Sequence, residues 1–138
     1  IRTNARRLVA AFDWCGTFRN HFAVKATPNP HLLEILAEEG FGTDCSSLPE
    51  MLLSQAAGIR GERIMFSSND TPAPEYVHAK NVGAVLNLDD ISHVDFVDRH
   101  AGLPELVVAD LMRQDGLVEL ARREAELTLD ETEVHAGR

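Results

Sequence analysis

The sequence predicts an α/β fold of parallel strands joined by helical crossovers, and three observations carry that reading. Short apolar runs rich in β-branched and aromatic residues begin at residues 21, 41, 63, 84 and 105, about 21 apart. Each gap between them holds helix-start and helix-stop chemistry. The loops are short, so successive strands linked through a helix run parallel. Such a chain closes as a (β/α) barrel or opens as a doubly wound sheet. No G-x-G-x-x-G follows the first strand, where the turn reads Lys25-Ala26-Thr27-Pro28-Asn29-Pro30, so a dinucleotide fold has no support. Even spacing without a reversal signal favours the barrel.

The elements follow in order. Residues 4–12, with Leu8, Val9 and Phe12 apolar, read as a leading helix. The first strand is His21-Phe22-Ala23-Val24-Lys25. Asn29 then caps a helix with Pro30 at its first position, Leu32, Leu33, Ile35 and Leu36 on one face, and Gly40 at its end. The second strand spans residues 41–45. Ser47-Leu48-Pro49-Glu50 has capping-box spacing and leads into Met51, Leu52, Leu53 and Ala56, closed by Gly58. Arg63-Ile64-Met65-Phe66 is the third strand, followed by a helix over residues 72–81 that stops before Gly83. Ala84-Val85-Leu86-Asn87 is the fourth, and a helix with Ile91, Val94 and Val97 runs from about Asp90 to Gly102.

Composition bounds the function. Of 138 residues, 44% are hydrophobic and 25% charged, which suits a folded globular domain and excludes a disordered chain. The net charge of −9 argues against a nucleic-acid or anionic-membrane partner, both of which need clustered Lys and Arg. No apolar run approaches the roughly 20 residues of a membrane span, and no signal peptide is read at the start. Two cysteines make a disulfide framework improbable and reduced, cytoplasmic thiols the expectation. The chain begins at Ile1 without an initiator Met.

Lys25 is the first residue that could carry chemistry. A barrel presents strand C-terminal ends to its active face, and a lysine there, shielded by Phe22 and Val24, is expected to be partly desolvated and usable as an amine nucleophile. A lysine that reaches out to solvent from a strand end is the plainer alternative. Asp44 also ends its strand, and Glu50 begins the following helix; carboxylates near an amine suit proton handling or the holding of a cationic ring. Capping alone also explains Glu50, and binding of nearby loop amides explains Asp44. The run Ser67-Ser68-Asn69-Asp70-Thr71 could meet a polar ligand, but capping of the helix near Pro72 is favoured. Asp89-Asp90 suits a helix N-terminus, and no metal is expected. Six scattered histidines give no zinc-ligand spacing. Cys45 reads as a small buried strand residue, and neither G-x-S-x-G nor a P-loop occurs.

Four segments together carry a resemblance: Phe22-Ala23-Val24-Lys25-Ala26-Thr27-Pro28-Asn29-Pro30, then Gly42-Thr43-Asp44-Cys45-Ser46-Ser47 with Glu50, then Ile64-Met65-Phe66-Ser67-Ser68-Asn69, and Leu86-Asn87-Leu88-Asp89. In this order and spacing the chain resembles the N-terminal barrel half of the pyridoxal-phosphate-dependent diaminopimelate and ornithine decarboxylases, of the alanine-racemase-like fold, and is most similar in wording to the diaminopimelate enzymes. The resemblance implies a partial (β/α)8 TIM barrel, incomplete over these residues. It makes Lys25 the lysine that holds pyridoxal 5'-phosphate. Asp44 and Glu50 become acidic residues close to the cofactor, and Ala23 a small residue under its ring. It implies decarboxylation of a basic or diamino acid, with conversion of meso-diaminopimelate to L-lysine first among the reactions. The other decarboxylations weighed are those of ornithine, arginine and carboxynorspermidine. A cytoplasmic homodimer with sites at the subunit interface is implied too, with no membrane or nucleic-acid partner.

The departures matter as well. The family's stacking His, its Gly-rich phosphate loop, its acidic partner for the pyridine nitrogen, and its C-terminal Cys and Tyr motifs are not found here. A dianionic cofactor needs a nest of backbone amides. A non-catalytic relative serving as a binding or regulatory module therefore stays open, as does a changed reaction on the same fold. Residues 1–108 read as the N-terminal part of the cofactor-binding barrel, and 109–138 as a tail. Leu103-Pro104-Glu105-Leu106-Val107-Val108 fits the next barrel strand, yet Pro104 to Val108 with residues 116–124 also resembles the end of the family's C-terminal β-domain. Asp115-Gly116 reads as a turn, residues 117–123 as a strand or helix start, and 128–138 as ordered only by a partner. At 138 residues, the chain has about half the length of a (β/α)8 barrel.

Overall fold

Strands of three or four residues followed at once by helix-start signals leave the chain no tight turn back to an antiparallel neighbour. It must cross over through a helix and lay each strand beside the last in the same direction. The computed structural model, which describes residues 1–16 and 18–103 and the backbone of 107–109, has this form. Its order is α1 (Arg2–Ala11), β1 (His21–Ala23), α2 (Pro30–Glu38), β2 (Gly42–Cys45), α3 (Leu48–Ala56), β3 (Ile64–Ser67), α4 (Ala73–Asn81), β4 (Val85–Leu88), α5 (Ser92–Ala101) and β5 (Val107–Ala109). The five strands form one parallel sheet in sequential order, β1-β2-β3-β4-β5. Sequential parallel order without a switch point is barrel topology, not the doubly wound alternative.

The pleat sorts the strand residues into two faces. Thr43, Cys45, Ile64, Phe66, Leu86 and Leu88 are buried, and Phe66, Leu86 and Leu88 pack in one core with helical residues such as Leu33, Met51, Tyr76 and Val97. The intervening residues Ala23, Asp44, Met65, Val85 and Asn87 are half-buried on the opposite face. In a closed barrel that face is the interior. α1 joins through a smaller cluster of Ala5, Leu36 and Phe41. Its expected apolar residues Leu8 and Val9 are 37% and 38% exposed. The helix is held instead by Arg2 and Arg6, which pair with Glu39.

Four local expectations need correction. The first strand ends at Ala23; Val24–Ala26 form a 3₁₀ turn in which the Thr27 N–H donates to the Val24 carbonyl at 3.1 Å. Val24 is buried in the core, and the prolines at 28 and 30 cannot extend a ladder. At α3 the cap is shifted by a residue. Ser47 makes no side-chain cap bond, while the Glu50 carboxylate accepts from the Ser46 N–H at 2.8 Å and from its hydroxyl at 3.1 Å. The polar run before α4 does not cap it: Pro72 takes the N-cap position, and the Thr71 hydroxyl is buried with no partner among the described residues. α5 begins two residues later than expected, with the Asp90 carboxylate accepting from the Ser92 N–H at 2.8 Å. Asn29 does cap α2 as expected, accepting from the Leu32 N–H at 3.2 Å. β5 pairs in parallel with β4, in agreement with the barrel-strand reading of residues 103–108. The expectations for 115–138 lie outside the described residues.

Candidate active site

The site is built on the inner sheet face at the C-terminal ends of the strands. Register places Ala23, Asp44, Met65 and Val85 in one row across β1 to β4. Ser67 and Asn87 stand in register one step further toward the strand ends. Lys25 follows Ala23 by two residues, in a turn that lies against β2. The structure thus brings Lys25, Ala23 and Asp44 to one corner of the sheet.

Lys25 differs from expectation in one respect. Its side chain is exposed among the described residues rather than shielded, because Val24 turns into the core and sends its neighbour outward. Asp44 is half-buried, and its Oδ1 has no hydrogen-bond partner among the described residues. Glu50, in the first turn of α3, is engaged by Ser46. Its observed work is to fix the start of α3 directly after the strand that carries Asp44. Cys45 is fully buried with its Sγ 3.3 Å from the Ser54 hydroxyl, and burial pushes its thiol pKa up, away from reactivity. Asp90 is an N-terminal capping carboxylate, held below its ordinary pKa by its hydrogen bonds with Ser92. No group of three or more His, Cys, Asp or Glu side chains among the described residues is arranged to hold a metal.

Sequence reasoning passed over two residues on this face. Asn87 donates through Nδ2 to the Ser67 hydroxyl at 3.3 Å, and its Oδ1 is buried without a partner among the described residues. The signal was a polar residue between Leu86 and Leu88, in a strand whose alternation turns it away from the helices. His21 lies at the lower end of the same face, its ring Nδ1 3.4 Å from the Thr43 carbonyl, and burial pushes its pKa down.

A pyridoxal group fits this corner. Ala23 leaves room above the sheet, Lys25 offers an accessible amine, and the unpaired buried oxygen of Asp44 offers an acceptor. The family model described as "Pyridoxal-dependent decarboxylase, pyridoxal binding domain" matches residues 1–113. The chain belongs to this decarboxylase family. It is 44% identical over 90 residues to Protein TabA of Pseudomonas amygdali pv. tabaci, covering 65% of this chain and 21% of that protein. It is 35% identical over 100 residues to a diaminopimelate decarboxylase of Zymomonas mobilis, covering 70% and 24%. Among solved structures, an ornithine decarboxylase from Entamoeba histolytica matches at 28% identity with a TM-score of 0.61, over 78% of this chain and 34% of that one. A diaminopimelate decarboxylase from M. jannaschii in complex with L-lysine, at 23% identity and a TM-score of 0.67 over 72% and 24%, shares the fold. The chain spans 20% to 24% of the length of the first curated relatives it matches. The matched region is the decarboxylase family's pyridoxal-binding domain.

Proposed function

We propose that the protein is a pyridoxal-phosphate-dependent amino-acid decarboxylase acting on a basic or diamino acid, with meso-diaminopimelate to L-lysine the reaction best supported. The observation that carries this reading is the placement of Lys25, accessible at the end of β1 beside the Ala23–Asp44 pair of the inner face, within a pyridoxal-binding domain. Lys25 Nζ would hold the cofactor's aldehyde carbon, Ala23 would leave space beneath its ring, and Asp44 would accept a hydrogen bond beside it. Bound there, the cofactor supplies an electron sink for the breaking Cα–carboxylate bond. Glu50 acts at one remove, holding the turn between β2 and α3 so that Asp44 keeps its place. The diaminopimelate assignment is supported by the repeated occurrence of that enzyme among the relatives. Ornithine, arginine and carboxynorspermidine are the alternative substrates.

The same proposal takes residues 1–108 as the N-terminal part of the barrel and 109–138 as a tail from the C-terminal β-domain. It takes the protein as a cytoplasmic homodimer. Cys15, exposed, and Cys45, buried, are both free thiols, in keeping with a reducing compartment.

The test is spectroscopic. Pyridoxal phosphate added to the protein at its natural length is expected to give a visible absorption band that Lys25→Ala abolishes, with carbon dioxide and lysine released from diaminopimelate. Absence of the band overturns the enzyme reading. It would favour the second reading, a binding or regulatory module.

A further inference from the structure

We propose that Val24 is the positioning residue for Lys25: its side chain, sunk in the core, fixes the turn from which the Lys25 amine is presented at the end of β1. The inference rests on the decarboxylase reading and adds to it the part that holds its lysine in place. The ladder between β1 and β2 ends at the Ala23–Asp44 pair, so no strand pairing holds the residues that follow. They fold instead into the 3₁₀ turn Val24–Ala26, closed by the Thr27 N–H donating to the Val24 carbonyl at 3.1 Å. A single short turn of this kind has little stability of its own.

Side-chain burial supplies the rest, and it comes from one residue. Residues 25–31 are all exposed and Leu32 is half-buried; the next buried side chain is Leu33, in α2. Val24, 0% exposed, lies in the main core with Leu33, Cys45 and Met51. Between Ala23 and Leu33 it is therefore the one fully buried side chain. A β-branched residue suits this task, because its χ1 is stiff and little freedom is lost when it is fixed. The Asn29 cap on α2 ties down the far end of the loop and leaves the near end to Val24. Lys25 is thus an exposed side chain on a backbone held to the core next door. Shortening Val24 removes core contacts and frees the turn. The fraction of molecules with Lys25 in position then falls, and the apparent cofactor dissociation constant rises by the same factor.

The experiment uses the protein at its natural length, with the wild type measured first. A wild type that gives no visible band with pyridoxal phosphate overturns the decarboxylase reading, and this inference falls with it. With the band present, its titration gives the cofactor Kd. Amide hydrogen exchange of the cofactor-free protein gives a readout independent of cofactor and turnover. Val24→Ala is expected to raise Kd about tenfold and to speed exchange of the Thr27 N–H by a similar factor. Val97→Ala is the control, the same truncation of an equally buried valine on α5 in the same core. It should lower the melting temperature comparably while leaving Kd and Thr27 exchange within about twofold of wild type. Should Val24→Ala fail to fold, Val24→Thr carries the test. It keeps the shape but replaces a methyl by a hydroxyl and weakens the anchor, so Kd should rise about threefold with a local rise in Thr27 exchange. An unchanged Kd or unchanged Thr27 exchange in the Val24 variant, or equal losses in Val97→Ala, overturns the assignment.

Discussion

Gly42 opens β2 at a point where backbone and ring crowd together. A Cβ there would clash with the Arg63 carbonyl and meet the His21 ring at 2.9 Å, so Gly42→Ala is expected to lower stability by about 1–3 kcal/mol, read as a reduced melting temperature. His21 is half-buried, and burial is the chief reason its pKa lies below the ordinary imidazole value. A folded-state pKa that is lowered means that the unfolded chain binds the proton more tightly. The stabilisation is then fully present above about pH 6.5 and is lost as pH falls through and below it. The denaturant midpoint should therefore drop between roughly pH 7 and pH 5.5, and His21→Gln should flatten that slope; a midpoint equally steep in the variant would refute the assignment. Glu39, lowered by its hydrogen bonds with Arg6, and Asp90 contribute in the same sense only at more acidic pH. At this scale the sequence revealed the residues that end strands, Lys25 and Asp44. It concealed Asn87, because its meaning comes from a neighbour on β3 and from a face that only the register defines.

The helices show why local pattern reads some boundaries and misses others. Asn29 and Pro30 act within one turn of chain, so the start of α2 was legible as spacing. The start of α3 was not, because its acidic residue caps a group outside the helix and one of its own orphan N–H groups is satisfied from another helix. Glu50 reaches back past Ser47 to Ser46, and Glu75 of α4 accepts from the Leu48 N–H at 3.1 Å across 27 residues of sequence. No capping motif records a long-range partner of this kind. α1 fails in the opposite way: its apolar residues Leu8 and Val9 suggest a buried face, but the observed contact runs through Ala5 and the arginines. The cross-helix cap yields a clean prediction. Glu75→Ala should cost about 0.5–2 kcal/mol of stability, as for a lost N-cap, while leaving the visible cofactor band intact. Glu50→Ala should lower stability comparably and also weaken cofactor loading, since it loosens the segment carrying Asp44. If Glu75→Ala abolished the band as Glu50→Ala does, the distinction between the two carboxylates would be wrong.

For the whole molecule the governing fact is a parallel sheet whose outer strands are each paired on one side only among the described residues. β1 has β2 as its partner and β5 has β4, and among the described residues no helix packs on the inner face of β1 to β4. Unpaired ladder groups and a half-covered face are templates for association. The repeat of about 21 residues made this architecture legible from sequence, because one strand–helix unit has a nearly fixed length. What covers the inner face was not legible, since that depends on contacts far along the chain or on another molecule. Apolar side chains add to the exposed surface: Trp14 is 80% exposed, Ile91 56% and Leu103 42%. The 138-residue chain expressed by itself is therefore expected to self-associate, with a weight-average mass in sedimentation equilibrium that rises with concentration. Charge limits that tendency without removing it, because a net −9 repels at long range and is screened at physiological salt. Raising the ionic strength should consequently increase the associated fraction. A concentration-independent monomer at both low and high salt would show that the edges are closed in some other way, and that the inner face does not need a partner to stay in solution.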